Sequence, residues 1–311
     1  MREDVRQRSG GKGERGSLYQ EVTDKIVREL EAGRVPWVQP WGETETPLGM
    51  PVNAATGRRY SGVNVLILWS AAVEKGFASH RWLTFRQALS LGGNVRKGER
   101  GTTVCYADRY IPKGEAERAA KEGSEPEAVP FLKRFTVFNA VQCEGLPERL
   151  APVPAPVPEG QAIPQAEALI AATRADFRVG GNEAFYVPSV DYIQVPPQAS
   201  FFEPVNYYRT CFHELGHWTG HASRLARDLA SGFGSGNYAR EELVAEIASA
   251  FLCASLGIVP TVRHADYLGS WLEVLRGDNR AIFRAASQAS KAADYILAFE
   301  AQPATGAGAA A

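Results

Sequence analysis

The spacing of apolar residues predicts helices in the first half of the chain. Residues 18–32 carry apolar side chains at the intervals of three and four that place them on one helix face, and Gly33 ends this helix. A second helix is predicted over residues 63–74, which are apolar at most positions and too many for a typical strand. A shorter helix is predicted to follow residues 81–85 and to stop at Gly92.

Short runs of β-branched and aromatic residues, bounded by turn-forming residues, predict strands in both halves. They cover residues 102–106, 133–141, 183–187 and 191–195. The acidic stretch 115–127 is predicted to be a surface loop between the first two strands. Helices and strands that follow each other without regular alternation indicate an α+β fold.

A proline-rich stretch divides the chain into two predicted domains. Residues 147–164 contain six prolines, and such a composition predicts an extended, semi-rigid spacer. The domains that it separates are residues 17–146 and 165–302. The two ends, residues 1–16 and 303–311, have the composition of disordered tails.

Composition excludes several classes of protein. No apolar run approaches the ~18 residues of a membrane span, and the N-terminus lacks the apolar core of a signal peptide. The four cysteines are dispersed, which argues against a disulfide framework and against a cysteine-based zinc site. We therefore expect a cytoplasmic protein without a membrane partner.

Charge is unevenly distributed between the two halves. Residues 1–150 carry 23 basic and 19 acidic side chains, whereas residues 151–311 carry 11 and 16. Basic groups that neutralise phosphates, together with aromatic rings on which bases stack, suit single-stranded DNA. A solvated basic face around buried aromatics gives the same composition. The tryptophans beside turns, which are the better candidates for stacking, are Trp37, Trp41 and Trp82.

The chemically most informative segment is His213-Glu214-Leu215-Gly216-His217. On a helix, the histidines at 213 and 217 project from one face, one turn apart, which is the spacing at which a single Zn²⁺ takes two imidazole nitrogens. Glu214 can then act as a general base that activates water without being a ligand. Two surface histidines on an ordinary helix are the alternative interpretation.

The third metal ligand is expected on a helix that is predicted over residues 240–252. Glu242 and Glu246 lie four residues apart there, beside an apolar stripe. Glu246 is the preferred ligand because it is embedded among apolar residues, and buried carboxylates are usually paired or bind metal. Glu242 would then orient a histidine, although the two roles could be exchanged. Glu241 is predicted to lie on a solvated face.

Residues around the motif offer further candidates. His221 shares the face of the motif histidines if the helix continues, and could then support the metal, contact substrate or stabilise an oxyanion. Gly220 instead favours a helix end, which would leave His221 on the surface. Tyr238 and Arg224 are candidates for transition-state contacts. The strand at 191–195 is expected to be a sheet edge that pairs with an extended peptide.

Several further motifs lie in the first half, at residues 18–23, 36–41, 53–64, 81–85, 92–99 and 135–142. The second half carries two, at residues 213–221 and 238–246. Together these motifs resemble the ArdC family of antirestriction proteins. The first half resembles the N-terminal domain of that family, which also occurs in conjugative plasmid primases. The second half resembles the zincin-like peptidase domain that ArdC proteins carry.

This resemblance implies a plasmid or mobile-element protein that binds single-stranded DNA and protects incoming DNA from host restriction. Its second domain would be a peptidase with one zinc ion per chain, acting on a restriction component or another host protein. The alternative is a DNA-binding shield whose metal site is structural or vestigial. A nuclease is disfavoured, because two histidines and a glutamate favour zinc over magnesium. Motif members carried over as candidate DNA contacts are Arg58, Tyr60, Asn64, Arg81, Arg96 and Lys97.

Overall fold

The computed structural model describes residues 17–38, 46–150, 159–229, 236–259 and 268–300 of the protein. The predicted tails at residues 1–16 and 303–311, and residues 151–158 of the predicted spacer, lie outside this described part.

Helices and strands are intermixed along the described residues, as the α+β prediction requires. The helices are α1 (Leu18–Glu31), α2 (Val63–Lys75), α3 (Phe85–Ser90), α4 (Glu115–Glu122), α5 (Glu159–Thr173), α6 (Pro204–Trp218), α7 (Gly236–Leu256), α8 (Leu268–Gly277) and α9 (Ala281–Leu297). The strands are β1 (Val52–Asn53), β2 (Arg81–Leu83), β3 (Asn94–Val95), β4 (Thr102–Tyr110), β5 (Val129–Asn139), β6 (Cys143–Glu144), β7 (Asp176–Val179), β8 (Phe185–Val187) and β9 (Tyr192–Val195). None of the described helices is long and apolar enough to cross a lipid bilayer.

The first half is built on a sheet of four strands in the order β1-β2-β5-β4, against which α2 packs. Apolar residues nearly surround α2, so Leu66, Leu68 and Trp69 are fully buried. This helix ends where Gly76 adopts a left-handed conformation with a φ of 63°. The short helix α3 begins at a reciprocal capping box between Thr84 and Gln87, which confirms the helix predicted there.

Strands β4 and β5 form a long antiparallel ribbon. Their register runs from Thr102 opposite Val137 to Tyr110 opposite Val129. Both strands therefore extend further from the sheet than the segments 102–106 and 133–141 that the sequence predicts.

Helix α4 connects the two strands of the ribbon, so the prediction of a surface loop over residues 115–127 is wrong for residues 115–122. Arg118 donates hydrogen bonds to Glu115 and Glu122, three and four residues away. Pairs at this spacing stabilise a helix, and Ala119 gives it a buried contact. A high density of charge is consequently compatible with a short helix here.

The second half combines a three-stranded sheet, in the order β7-β9-β8, with helices α5 to α9. Helices α6 and α7 pack closely because Gly216 lies at their contact. A Cβ atom at position 216 would be 3.0 Å from the Cα atom of Ala245. The glycine inside the histidine motif therefore sets the distance between these two helices.

Helix α5 begins at Glu159, so residues 159–164 of the predicted spacer are helical. The helix includes Pro164 near its start. Ala166 and Leu169 are buried in the main core, and this packing fixes the segment as a helix.

The two halves share one hydrophobic core. The ring of Trp37 packs edge-on against Trp271 at a centroid distance of 5.3 Å, and Trp69 packs against Phe251 at 5.5 Å. Helix α1 also packs against α8, and α2 against α9. The two halves are therefore packed against each other rather than held apart by the predicted spacer.

Candidate metal centre

Helices α6 and α7 bring two imidazoles and one carboxylate together. The Nε2 atoms of His213 and His217 are 3.2 Å apart, and each lies 3.4 Å from an oxygen of Glu242. We call these two nitrogens and this carboxylate the donor group. A tetrahedral ion with bonds of about 2.0–2.1 Å separates its ligand atoms by roughly 3.3 Å, so the donor group fits a zinc-sized ion.

Another carboxylate of α7, that of Glu246, lies on the other side of the His213 imidazole. One of its oxygens is 3.3 Å from His213 Nδ1, and the other accepts a hydrogen bond of 2.7 Å from Arg209. The structure thus places Glu242 in the donor group and Glu246 at the opposite nitrogen, which reverses the roles that the sequence analysis preferred. Burial pointed to Glu246, but its burial reflects the ion pair with Arg209.

His217 has a matching support on its own Nδ1. Glu241 lies 3.3 Å from this nitrogen, and Arg227 donates hydrogen bonds to both oxygens of Glu241. The same arginine donates to the carbonyl of Gly216 and to the hydroxyl of Thr219. The prediction that Glu241 lies on a solvated face is wrong, since its side chain is only 12% exposed.

Arg209 and Arg227 were not found by sequence reasoning. Arg209 lies four residues before His213 and therefore on the same buried face of α6, where an arginine is a signal for a buried ion pair. Arg227 follows α6 in an irregular segment, where the sequence carries no comparable signal.

Electrostatics in the site follow from this packing. Burial disfavours the charged imidazole of His217, but hydrogen bonds to Glu241 and Glu242 outweigh it and raise the pKa to about 9. For His213, burial is likewise outweighed by Glu242 and Glu246, which raise its pKa well above the ordinary value. Burial opposes ionisation of Glu242, yet the two histidines hold its pKa below the usual range. The carboxylates thus create a site that favours positive charge.

A cleft of about 260 Å³ opens beside the donor group. Glu214, the predicted general base, lines it next to both histidines. Tyr238, the predicted candidate for a transition-state contact, also lines the cleft. Other residues along the cleft are Phe185, Tyr186, Pro188, Asp228, Leu229 and Asn237.

The sheet edge beside the cleft is β8. β8 pairs with β9 on one side, and β9 lies between β7 and β8 in the sheet. The strand predicted at residues 191–195 is therefore central rather than at the edge. Its partner Phe185–Val187 is the strand in position to pair with an extended chain.

Two candidates near the motif are engaged elsewhere. His221 follows the end of α6, and its Nδ1 lies 2.7 Å from the Ser223 hydroxyl, away from the donor group. Arg224 forms an ion pair with Asp191 and stacks 3.9 Å from the ring of Trp218. The structure thus gives His221 no place among the metal donors and Arg224 a packing role.

Several predicted DNA-contact residues are structural. Trp37 and Trp82 are buried, the second against Phe77, so the proposal that they stack on bases is wrong. Asn64 exchanges two hydrogen bonds with the backbone of Cys105, which joins α2 to β4. Trp41 lies outside the described residues.

The remaining predicted DNA contacts stay predictions. Arg58, Arg96 and Lys97 are exposed at turns of the first half. Arg81 begins β2, and Tyr60 is partly buried between two core clusters. Arg96 also donates to the carbonyl of Val141.

Both halves match models of known domains. Residues 16–138 match the N-terminal domain of the anti-restriction factor ArdC. Residues 164–288 match a zincin-like metallopeptidase domain.

Similar proteins include one of comparable length and two much longer ones. The chain is 41% identical over 286 residues to the uncharacterized protein y4eC of Sinorhizobium fredii, which covers 90% of this chain and 92% of that relative. It is also 41% identical to two DNA primases TraC of Escherichia coli. It covers only 20% of one primase and 27% of the other.

Solved structures show the same arrangement in a related protein. The metal-free crystal structure of the antirestriction ArdC protein from the R388 plasmid is 43% identical, with a TM-score of 0.76 over 92% of this chain and 98% of that one. The Mn(II)-bound structure of that protein is 42% identical, with a TM-score of 0.75 over the same shares of the two chains. The zincin-like family and this relative both imply a metal ion.

Proposed function

Because this chain belongs to the ArdC family of antirestriction proteins, we propose that it binds single-stranded DNA and protects incoming plasmid DNA from host restriction. We further propose that its second half is a zinc peptidase. The observation that carries this second proposal is the position of the donor group, which lines the same cleft as Glu214.

His213, His217 and Glu242 would hold the metal ion. Two imidazoles and one carboxylate favour zinc, and we propose one zinc ion per chain. When bound, zinc supplies a Lewis acid that polarises a carbonyl group and makes water more acidic.

The chain itself supplies the remaining functions of a peptidase. Glu214 accepts a proton from the attacking water and returns it to the leaving amine. Glu246 and Glu241 hold the imidazoles of His213 and His217 in place through their Nδ1 atoms. The edge of β8 aligns an extended peptide along the cleft.

A purely structural metal site fits these observations less well. Structural zinc is usually enclosed by four protein ligands, whereas the donor group described here has three and faces a cleft. A structural site also has no need of a base. Nuclease chemistry with magnesium would favour a site richer in oxygen ligands.

The substrate we propose is a host protein, such as a restriction component, cleaved near the bound DNA. The activity of the longer TraC primases is not carried over to this chain, which covers only a small part of them. All four cysteines are buried free thiols, in keeping with the reducing cytoplasm that we propose as its compartment.

The deciding experiment measures protection of transferred single-stranded DNA in a restricting recipient. Wild type and Glu214→Ala are compared at equal expression, with an unrestricted plasmid as the control for transfer. Loss of protection would show that the peptidase is required. Full protection by the variant would mean that DNA binding alone carries the function.

A further inference from the structure

Four aromatic rings form a continuous row along one face of the β4–β5 ribbon. In the antiparallel register, residues 104, 106, 108 and 110 share a face with residues 135, 133, 131 and 129. The ring centroids of Phe135 and Tyr106 are 5.8 Å apart, those of Tyr106 and Phe131 are 6.5 Å, and those of Phe131 and Tyr110 are 5.9 Å. We call these four residues the aromatic ladder.

Three rings of the aromatic ladder are exposed, and the fourth, Phe131, is partly buried. Tyr106, Tyr110 and Phe135 are 48%, 51% and 45% exposed. Among the described residues, the core clusters contain none of the four rings, although Val104 and Val137 at the base of the same face are buried. Contiguous exposed apolar surface of this kind is typical of an interaction site.

Basic side chains accompany the aromatic ladder. The ammonium group of Lys133 lies 4.8 Å from the ring centroid of Phe131, on the ladder face. Arg109 and Arg134 lie on the opposite face, where Arg134 pairs with Glu21. The acidic residue of the ladder face is Asp108, which accepts a hydrogen bond from the Tyr106 hydroxyl. β4 and β5 thus contain three basic residues and one acidic residue.

We propose that the aromatic ladder is the surface on which this protein stacks the bases of single-stranded DNA. The inference rests on the proposed function, and it assigns that function to a surface that contains none of the predicted tryptophans. Successive same-face residues of a strand are about 6.6–6.8 Å apart, so an extended strand can place one base against each ring. Duplex DNA hides its base faces by stacking and therefore does not fit this surface.

The test uses the full-length protein with a fluorescently labelled oligothymidine, and measures its dissociation constant at several salt concentrations. Tyr106→Leu with Phe135→Leu removes two π-faces and keeps apolar side chains on the ribbon. We expect at least a tenfold loss of affinity, since each base–aromatic stack is worth about that factor or more. The slope of the logarithm of the binding constant against the logarithm of the salt concentration should stay unchanged, because the two substitutions remove no charge.

Two further variants separate stacking from other causes. Phe202→Leu alters a fully exposed phenylalanine outside the ribbon and should bind as wild type does. Lys133→Gln should reduce the salt slope by about 0.7, the value for one phosphate contact on a single strand. Circular dichroism and melting temperature check that each variant is folded.

Each outcome supports or overturns the inference. If wild type fails to bind single-stranded DNA at low salt, the proposed function fails and the inference with it. If wild type binds and the folded leucine variant binds equally well, only the ladder assignment is overturned. The ladder assignment is also overturned if the leucine variant loses affinity for duplex DNA by the same factor as for the oligothymidine. The same holds if the substitutions change only the oligomeric state of the protein.

A second measurement covers the case in which the leucine variant does not fold. Wild type is photocrosslinked to an oligonucleotide that contains 5-iodouracil. Crosslinks to Tyr106, Phe131 or Phe135 would support the inference, and crosslinks confined to other surfaces would overturn it.

Discussion

Glu246 contacts His213 at Nδ1, 3.3 Å away, on the side of the imidazole opposite the donor group. The same carboxylate pairs with Arg209 in a nearly closed environment, where the two side chains are 1% and 4% exposed. The metal site and the interior of the second half are therefore joined through Glu246, and this connection makes Glu246 experimentally distinguishable from Glu242.

Replacing Glu246 should damage the fold as well as the metal site. Glu246→Ala leaves Arg209 buried without its carboxylate, which should cost about 3–5 kcal/mol in the free energy of unfolding without metal. It should also weaken zinc binding about 10- to 100-fold, because His213 loses its support. Urea unfolding with chelator and competitive zinc titration measure the two effects. Unchanged stability would contradict the role given to this ion pair.

Replacing Glu242 should affect zinc binding more than it affects the stability of the metal-free protein. Glu242→Ala removes a metal ligand and should weaken zinc binding more than about 100-fold, beyond the effect of losing a supporting group. The chelator-treated protein should lose less stability than the Glu246 variant, because His213 and His217 keep Glu246 and Glu241 as partners and can release their protons, whereas a buried arginine cannot. Zinc affinity that falls more in the Glu246 variant than in this one would return the ligand role to Glu246.

Glu214 should be separable from the metal ligands. Glu214→Gln keeps the size and burial of the side chain but removes the base, so we expect zinc to bind and any peptide cleavage to be lost. Zinc content by atomic absorption and cleavage of a casein or peptide library measure the two properties. If the Glu214→Gln variant instead binds no zinc, Glu214 is a metal ligand and not the base.

The glycine inside the motif should be sensitive to a single methyl group. Gly216→Ala places a Cβ atom 3.0 Å from the Cα atom of Ala245, so α6 and α7 must move apart. We expect a loss of about 1–3 kcal/mol in stability, together with weaker zinc binding. Gly269→Ala is the matched control, because a Cβ there meets nothing within 4 Å. Equal effects of the two substitutions would refute the close-packing explanation.

Zinc should stabilise the whole protein and not only its second half. At a free zinc concentration of 100 times Kd, the free energy of unfolding should rise by about 2.7 kcal/mol, and a chelator should reverse this. Because both halves share a core, tryptophan fluorescence and far-ultraviolet circular dichroism should report one coincident transition. Two separate transitions, with only one sensitive to zinc, would contradict the shared core.

Local patterns predicted much of the fold and the centre of the site. The apolar pattern predicted α1 and α2, and the histidine motif predicted one face of α6. The support from Glu241 and Arg227 was not predictable, because it depends on how α6 crosses α7 and on where an irregular segment returns. Spacing within α7 placed two glutamates on one face but could not decide which carboxylate would reach both Nε2 atoms.

The tryptophans show a second limit of sequence reasoning. Trp37 and Trp82 lie beside turns, which suggested exposure, yet partners distant in sequence bury them. The aromatic ladder is the reverse case. Tyr106 and Phe135 lie on strands, where burial of one face is common, yet both side chains are exposed. Only the register of the ribbon, and the lack of a covering element among the described residues, distinguishes the two groups.

The N-terminal segment that contains α1 and Trp37 packs against α8, which contains Trp271. This contact has a consequence for the synthesis of the protein. Helix α1 leaves the ribosome early, but the helix that it packs against, α8, is synthesised more than 230 residues later. Contacts so distant in sequence form late, and their apolar surfaces stay open until then. We therefore expect that a nascent chain released after residue 150 does not fold as a free-standing unit, and that folding is completed only after α8 and α9 have been translated.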